Sequence, residues 1–136
     1  MIARERVVID TSALVSRLLL PASIPAQAVD RALVGCQLLV SDATLMELAT
    51  VLGRPKFNAY VSIEERQQFL RLFGRVAERV PIVCIVRACR DPNDDKFLEL
   101  AISGEARLII TSDADLLVLD PFQGIGIISP AEYLSR

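Results

Sequence analysis

Carboxylates stand directly after two apolar, β-rich runs of this sequence. Asp10 follows Val7, Val8 and Ile9, and Asp113 and Asp115 follow Leu108, Ile109, Ile110 and Thr111. A carboxylate released at the end of a buried strand emerges where backbone amides converge, so it either caps the next helix or meets a cation. The hydroxyls of Thr11 and Ser12 carry the same two readings: they order water or phosphate, or they satisfy orphan amides at a helix start. Glu47 interrupts an apolar stretch of Leu45, Met46, Leu48 and Ala49. A charge there loses hydration unless something compensates it; a solvated helix face, or a displaced capping box with Thr44, are the alternatives. Asp91, Asp94 and Asp95 precede an apolar helix, where acids meet the helix dipole favourably. Asp91 beside Pro92 reads as a cap or turn residue. The adjacent Asp94 and Asp95 repel each other, so one of the pair is expected to face a cation.

The elements that must position these acids follow from periodicity and punctuation. Arg6 to Ile9, Leu38 to Val40, Ile82 to Val86, Arg107 to Ile110 and Ile125 to Ile128 read as five short strands. Between them lie helices from Thr11 to Leu20, Pro25 to Val34, Ser41 to about Leu52, Ser62 to before Pro81, and one after the polar segment Arg90 to Asp95 that runs through Ile102 and is closed by Gly104. A short helix follows Asp113, and the cap Ser129, Pro130 and Glu132 start a final one. Ser62 and Glu65 fit a capping box for the fourth helix. Strands alternating with helices require right-handed crossovers, which predicts an α/β three-layer sandwich with a mostly parallel central sheet of about five strands. In such a sheet ligands sit outside the carboxyl ends of the strands, where the acids are.

Composition narrows the classes. The chain has 136 residues, 52% of them apolar, with no linker, repeat or low-complexity tract, so one domain over 1–136 is expected. No run approaches the roughly 18–20 apolar residues of a membrane span. Arg4, Glu5 and Arg6 before a short apolar stretch do not make a signal peptide, so a cytoplasmic protein without a membrane partner is expected. Cys36, Cys84 and Cys89 form no paired spacing and there is no histidine, which removes the usual zinc sites and the histidine-pair ribonuclease mechanism. The thiols are read as reduced and mostly buried. A net charge of −2 disfavours a strongly basic nucleic-acid binder. Setting four carboxylates aside in one site leaves +2 elsewhere, and all basic residues except Lys56 and Lys96 are arginine. That surface permits phosphate contacts.

Four strings carry a resemblance: Val-Ile-Asp-Thr-Ser at 8–12, the lone Glu47, Cys-Arg-Asp-Pro-Asn-Asp-Asp-Lys-Phe-Leu-Glu-Leu-Ala at 89–101, and Ile-Ile-Thr-Ser-Asp-Ala-Asp-Leu-Leu at 109–117. Spanning nearly the whole chain, they resemble the PIN-domain ribonucleases, particularly the VapC-like toxins of bacterial and archaeal toxin–antitoxin pairs. The third string is the most specific. The resemblance implies a PIN-like fold and Asp10, Glu47, Asp95 and Asp113 as the catalytic, metal-binding acids. Asp94 and Asp115 are near neighbours able to replace the last two, and Thr11 or Ser12 gives polar support. It also implies Mg²⁺ or Mn²⁺, hard ions that prefer oxygen ligands and bridge carboxylates to phosphate. An RNA substrate, a protein antitoxin and a homodimer belong to the same expectation. Ser112 departs from the family pattern, standing where a glycine is often found, which leaves the local turn open.

Two other classes compete. A phospho-receiver-like signalling domain needs an acidic pair after the first strand and a lysine near the last, whereas Asp10 has no acidic neighbour and Lys56 and Lys96 lie elsewhere. A non-catalytic PIN-like module binding RNA or protein would keep the fold with incidental acids. Retained Mn²⁺ binding with Mn²⁺-dependent RNA cleavage separates the enzyme from both.

Overall fold

The computed structural model describes residues 4–136; residues 1–3 of the domain expected over 1–136 lie outside the described residues. Five strands form one sheet: β1 (Glu5–Ile9), β2 (Cys36–Val40), β3 (Glu78–Arg79), β4 (Leu108–Ile110) and β5 (Gly126–Ile128). Their order is β3-β2-β1-β4-β5 and every ladder is parallel. The connections after β1 run outward one way and the return through β4 runs the other, so the topological switch point lies between β1 and β4. The carboxyl ends of these two strands therefore open a crevice that no crossover covers.

Among the described residues seven α-helices cover the sheet: α1 (Thr11–Leu19), α2 (Ile24–Gly35), α3 (Asp42–Leu52), α4 (Ile63–Val76), α5 (Asp95–Ser103), α6 (Ala114–Leu117) and α7 (Pro130–Leu134). Alternation along the strands divides the core into two layers. Val7, Ile9, Leu38, Val40, Leu108 and Ile110 face one side, against Leu14, Val29, Leu48, Phe73 and Tyr133 of α1, α2, α3, α4 and α7. Val8, Leu39, Ile109 and Ile127 face the other, against Phe97, Leu98, Leu100 and Leu116 of α5 and α6. The fold is the expected three-layer α/β sandwich, with the sheet parallel throughout. No single helix among the described residues is long and apolar enough to cross a membrane.

Most helix starts obey their caps. Asp10, Ser23, Ser41, Ser62 and Ser129 each accept a hydrogen bond from the first turn of the helix that follows. The capping box of α3 is Ser41 with Thr44, which leaves Glu47 outside any cap. The third strand departs from expectation: β3 is Glu78–Arg79, and Ile82 to Val86 is not a strand. The ladder against β2 ends as Val80 N donates to Val40 O at 2.8 Å. Beyond it the amides leave the sheet for α5, Val83 N reaching Ser103 Oγ and Val86 N reaching Glu99 Oε2, both at 3.0 Å. Val83 and Ile85 are consequently 79% and 81% exposed, an apolar run that reads as a buried strand in sequence alone.

Helix α5 seats the acids of its first turn through Leu98, which is fully buried under the sheet. Leu98→Ala should lower the unfolding free energy by about 2–5 kcal/mol, since the lost transfer energy adds to an unfilled cavity. Urea titration checks this; a loss below about 1 kcal/mol would mean that α5 is not anchored there.

Candidate functional site

The cleft at the switch point encloses about 380 Å³ and is lined by Asp10, Thr11, Ser12, Glu47, Val51, Arg54, Asp94, Phe97, Ser112, Asp113 and Leu116. Asp10 stands at its base, 5% exposed. Its Oδ1 accepts from Ala13 N at 3.0 Å and Ser12 Oγ at 3.3 Å, and its Oδ2 from Thr111 Oγ1 at 2.5 Å. Asp10 thus caps α1 and also lines the cleft, so both readings of its sequence position hold in the geometry. Burial raises its carboxyl above the ordinary value, opposed by the bonds from Thr111, Ala13 and Ser12.

Glu47 comes from α3 and points into the same cleft. Thr11 Oγ1 donates to its Oε2, and Lys96 Nζ lies 2.7 Å from its Oε1. The charge within the apolar run is compensated by a lysine brought from α5. Asp113 caps α6 by accepting from Asp115 N at 2.9 Å, while Thr111 Oγ1 accepts from Asp113 N at 3.0 Å. Thr111 therefore joins the acids of two neighbouring strand ends through one hydroxyl.

Within the adjacent pair the two side chains part, and Asp94 rather than Asp95 lines the cleft. Asp95 Oδ1 turns away from the cleft and accepts from Ala88 N at 3.1 Å and Cys89 N at 2.8 Å. Burial acts to raise the Asp95 carboxyl, but these amide bonds outweigh it and hold it below the ordinary value. Asp94, one residue earlier, lines the cleft instead. Oxygens of Asp94, Asp113 and Asp115 lie within 4.8 Å of one another. Burial first, then the hydrogen bond and charge of Asp113, with the charges of Asp91 and Asp115, push the Asp94 carboxyl up to about 7. Asp91 stays local, accepting from Asn93 N at 3.0 Å in the short turn Pro92–Asp94.

Among the described residues, Glu47 alone of these acids is paired with a cation; Asp10, Asp94, Asp113 and Asp115 make no contact with lysine or arginine. Three half-buried carboxylates, Asp94, Asp113 and Asp115, converging without a counter-ion among the described residues fit a hard divalent cation, which neutralises them with oxygen ligands alone. Thr111, Lys96 and Arg54 join the site without having been singled out as site residues. Thr111 and Lys96 lie inside the strings that carry the family resemblance. Arg54, in a loop after Gly53, leaves no local sign.

The PIN-domain family model matches residues 6–115. The chain is 33% identical over 118 residues to the uncharacterized protein MJ1680 of Methanocaldococcus jannaschii, covering 84% of this chain and 74% of that one. Solved structures of similar fold include PAE2754 from Pyrobaculum aerophilum, with TM-score 0.63 and 14% identity over 97% of this chain and 91% of that one. VapBC2 from Rickettsia felis, bound to a DNA fragment from its promoter, aligns with TM-score 0.61 and 13% identity over 91% and 98%. VapBC-5 from Mycobacterium tuberculosis, of a toxin–antitoxin family, aligns with TM-score 0.56 and 21% identity over 91% and 98%. With the family model matched over 6–115 and the acids closing on the β1–β4 crevice, this chain belongs to the PIN-domain family.

Proposed function

We propose that this chain is a metal-dependent endoribonuclease, acting as the toxin of a toxin–antitoxin pair in the cytoplasm. The observation that carries the reading is the convergence of Asp94, Asp113 and Asp115 within 4.8 Å, beside buried Asp10 and without a counter-ion. Membership of the PIN-domain family and the likeness of fold to the two VapBC toxin–antitoxin proteins support it. An antitoxin, an RNA substrate and a homodimer are partners within the same proposal.

Asp10, Asp94, Asp113 and Asp115 would hold Mg²⁺ or Mn²⁺, with Glu47 at the rim. When bound, such an ion supplies charge neutralisation at the substrate phosphate and lowers the pKa of water. The chain's own groups do the rest. Thr111 and Ala13 fix the Asp10 carboxylate, so its oxygens need no reordering when substrate arrives. Lys96 and Thr11 fix the orientation of the Glu47 side chain where it meets the cleft. Phe97 and Leu116 wall the cleft and limit water entry. With no histidine to activate a ribose 2′-hydroxyl, water is the nucleophile, and the cut leaves a 5′-phosphate. Asp95, turned to the 88–89 amides, supports the loop that carries Asp94.

Replacing Asp94 or Asp113 by asparagine should lower Mn²⁺-dependent cleavage of single-stranded RNA by at least about 100-fold while the protein stays folded. Asp95→Asn, whose amide oxygen still accepts both backbone bonds, should cost less. Cleavage assays beside circular dichroism check the ranking, and a larger loss from Asp95→Asn would move the ligand by one residue. A folded protein that binds Mn²⁺ and cuts no RNA would be the non-catalytic binding module.

The crowded carboxylates also set a pH dependence. A carboxyl raised from 3.8 to about 7 favours the folded state while protonated. That contribution is full below the unfolded value and is lost as pH rises through about 7. In chelator, the melting temperature should therefore fall between pH 5 and pH 8, and Asp94→Asn should flatten the fall. Mn²⁺ should restore stability most at the higher pH, where the acids are ionised. A wild-type profile that rises over this range would exclude the crowding.

A further inference from the structure

Arg66 is a buried cation with no acidic partner. It lies on α4, is 3% exposed, and makes no contact with a carboxylate among the described residues. Its Nη1 donates to Leu52 O at 2.8 Å and to Arg54 O at 3.3 Å, its Nη2 to Asn58 Oδ1 at 2.6 Å, and its Nε to Ser62 O at 3.3 Å. Burying a guanidinium against neutral oxygens is unfavourable unless its donors are well used. The bond to Leu52 O alone would be a cap for α3, at whose carboxyl end a cation is welcome. The other acceptors extend past the helix and hold the path of the loop from 52 to 62.

What that loop presents is Arg54. Pro55 disfavours helical backbone at the residue before it, and Arg54 is extended, with φ −66° and ψ 131°. With its carbonyl held by Arg66, its exposed side chain lines the acidic cleft beside Val51 and Glu47. Its guanidinium makes no hydrogen bond or ion pair among the described residues. An arginine held at the mouth of a carboxylate cleft, with its donors unspent, matches an anion that enters with the cation. Its planar fork fits the two non-bridging oxygens of a phosphodiester.

We propose that Arg54 contacts a backbone phosphate of the nucleic-acid substrate in the cleft, and that buried Arg66, with Asn58, is the positioning residue that holds Arg54 there. The proposal rests on the ribonuclease reading above. It adds a charge contact that the acids themselves cannot make, and it gives the loop from 52 to 62 a task in substrate binding.

The test uses the full chain, a single-stranded RNA oligonucleotide and Mn²⁺, with kcat and KM measured between roughly 50 and 200 mM salt. Arg54→Ala should lower kcat/KM by about 10- to 100-fold, mainly through KM, and reduce the salt slope by about 1. Arg54→Lys should recover part of this, because a point charge still attracts phosphate but cannot fork. Exposed Arg75→Ala on α4 is the control for lost net charge and should leave both quantities unchanged. Arg66→Lys and Asn58→Ala should lower kcat/KM in the wild-type background and have no further effect in Arg54→Ala; additive losses would reduce Arg66 to a structural role. If Arg66→Lys fails to fold by circular dichroism, Asn58→Ala carries that comparison alone. A wild type that cuts no RNA overturns the ribonuclease reading and this proposal together. A wild type that cuts RNA with Arg54→Ala unchanged overturns this proposal alone. An Arg54→Ala variant with unchanged kinetics and tighter Mn²⁺ binding, read by the melting shift, would make Arg54 a counter-ion to the acids.

Discussion

Everything at the site depends on one buried hydroxyl–carboxylate contact between neighbouring strands. Thr111 leaves β4 where Asp10 leaves β1, and its Oγ1 both donates to Asp10 and accepts from the amide of Asp113. A carboxylate at 5% exposure is unfavourable without donors, and this bond with those of Ala13 and Ser12 supplies them. The same hydroxyl fixes the turn into α6 and hence the direction of Asp113. Because β1 and β4 are neighbours only at the switch point of the order β3-β2-β1-β4-β5, the contact exists through topology and not through closeness in the chain.

Around that base the protein treats its charges unequally. Glu47 is neutralised internally by Lys96, whereas Asp94, Asp113 and Asp115 crowd together, and burial first, with the hydrogen bond and charge of Asp113, pushes the Asp94 carboxyl up to about 7. Such crowding destabilises the fold on its own and becomes favourable only when something positive enters, a common signature of sites that bind cations. The two arginines near α3 show a parallel division. Arg66 spends its donors on backbone carbonyls and the Asn58 side chain, and Arg54 has none of its own paired among the described residues. One cation is consumed in building the loop so that another can be offered by it.

The sequence by itself determined the layers and most of the acids, because these follow from local rules. Short continuous apolar runs followed by a carboxylate make buried strands with acids at their carboxyl ends, and Asp10, Ser41, Ser62 and Ser129 cap helices whatever lies across the sheet. Asp10, Glu47 and Asp113 do line one cleft with Thr11 and Ser12. Tertiary structure decided what depends on partners distant in the chain. Which of Asp94 and Asp95 lines the cleft depends on the amides of Ala88 and Cys89, which capture Asp95 and leave Asp94 to the cleft; adjacent residues at a helix start differ by about 100° in direction, and composition cannot say which meets a donor. Ile82 to Val86 has the residues of a strand, yet α5 takes its amides at Val83 and Val86, so the ladder ends at β3. Thr111, Lys96 and Arg54 enter the site only because the sheet order and the clasp of Arg66 bring them across dozens of residues, a cooperative outcome of packing that no local propensity encodes.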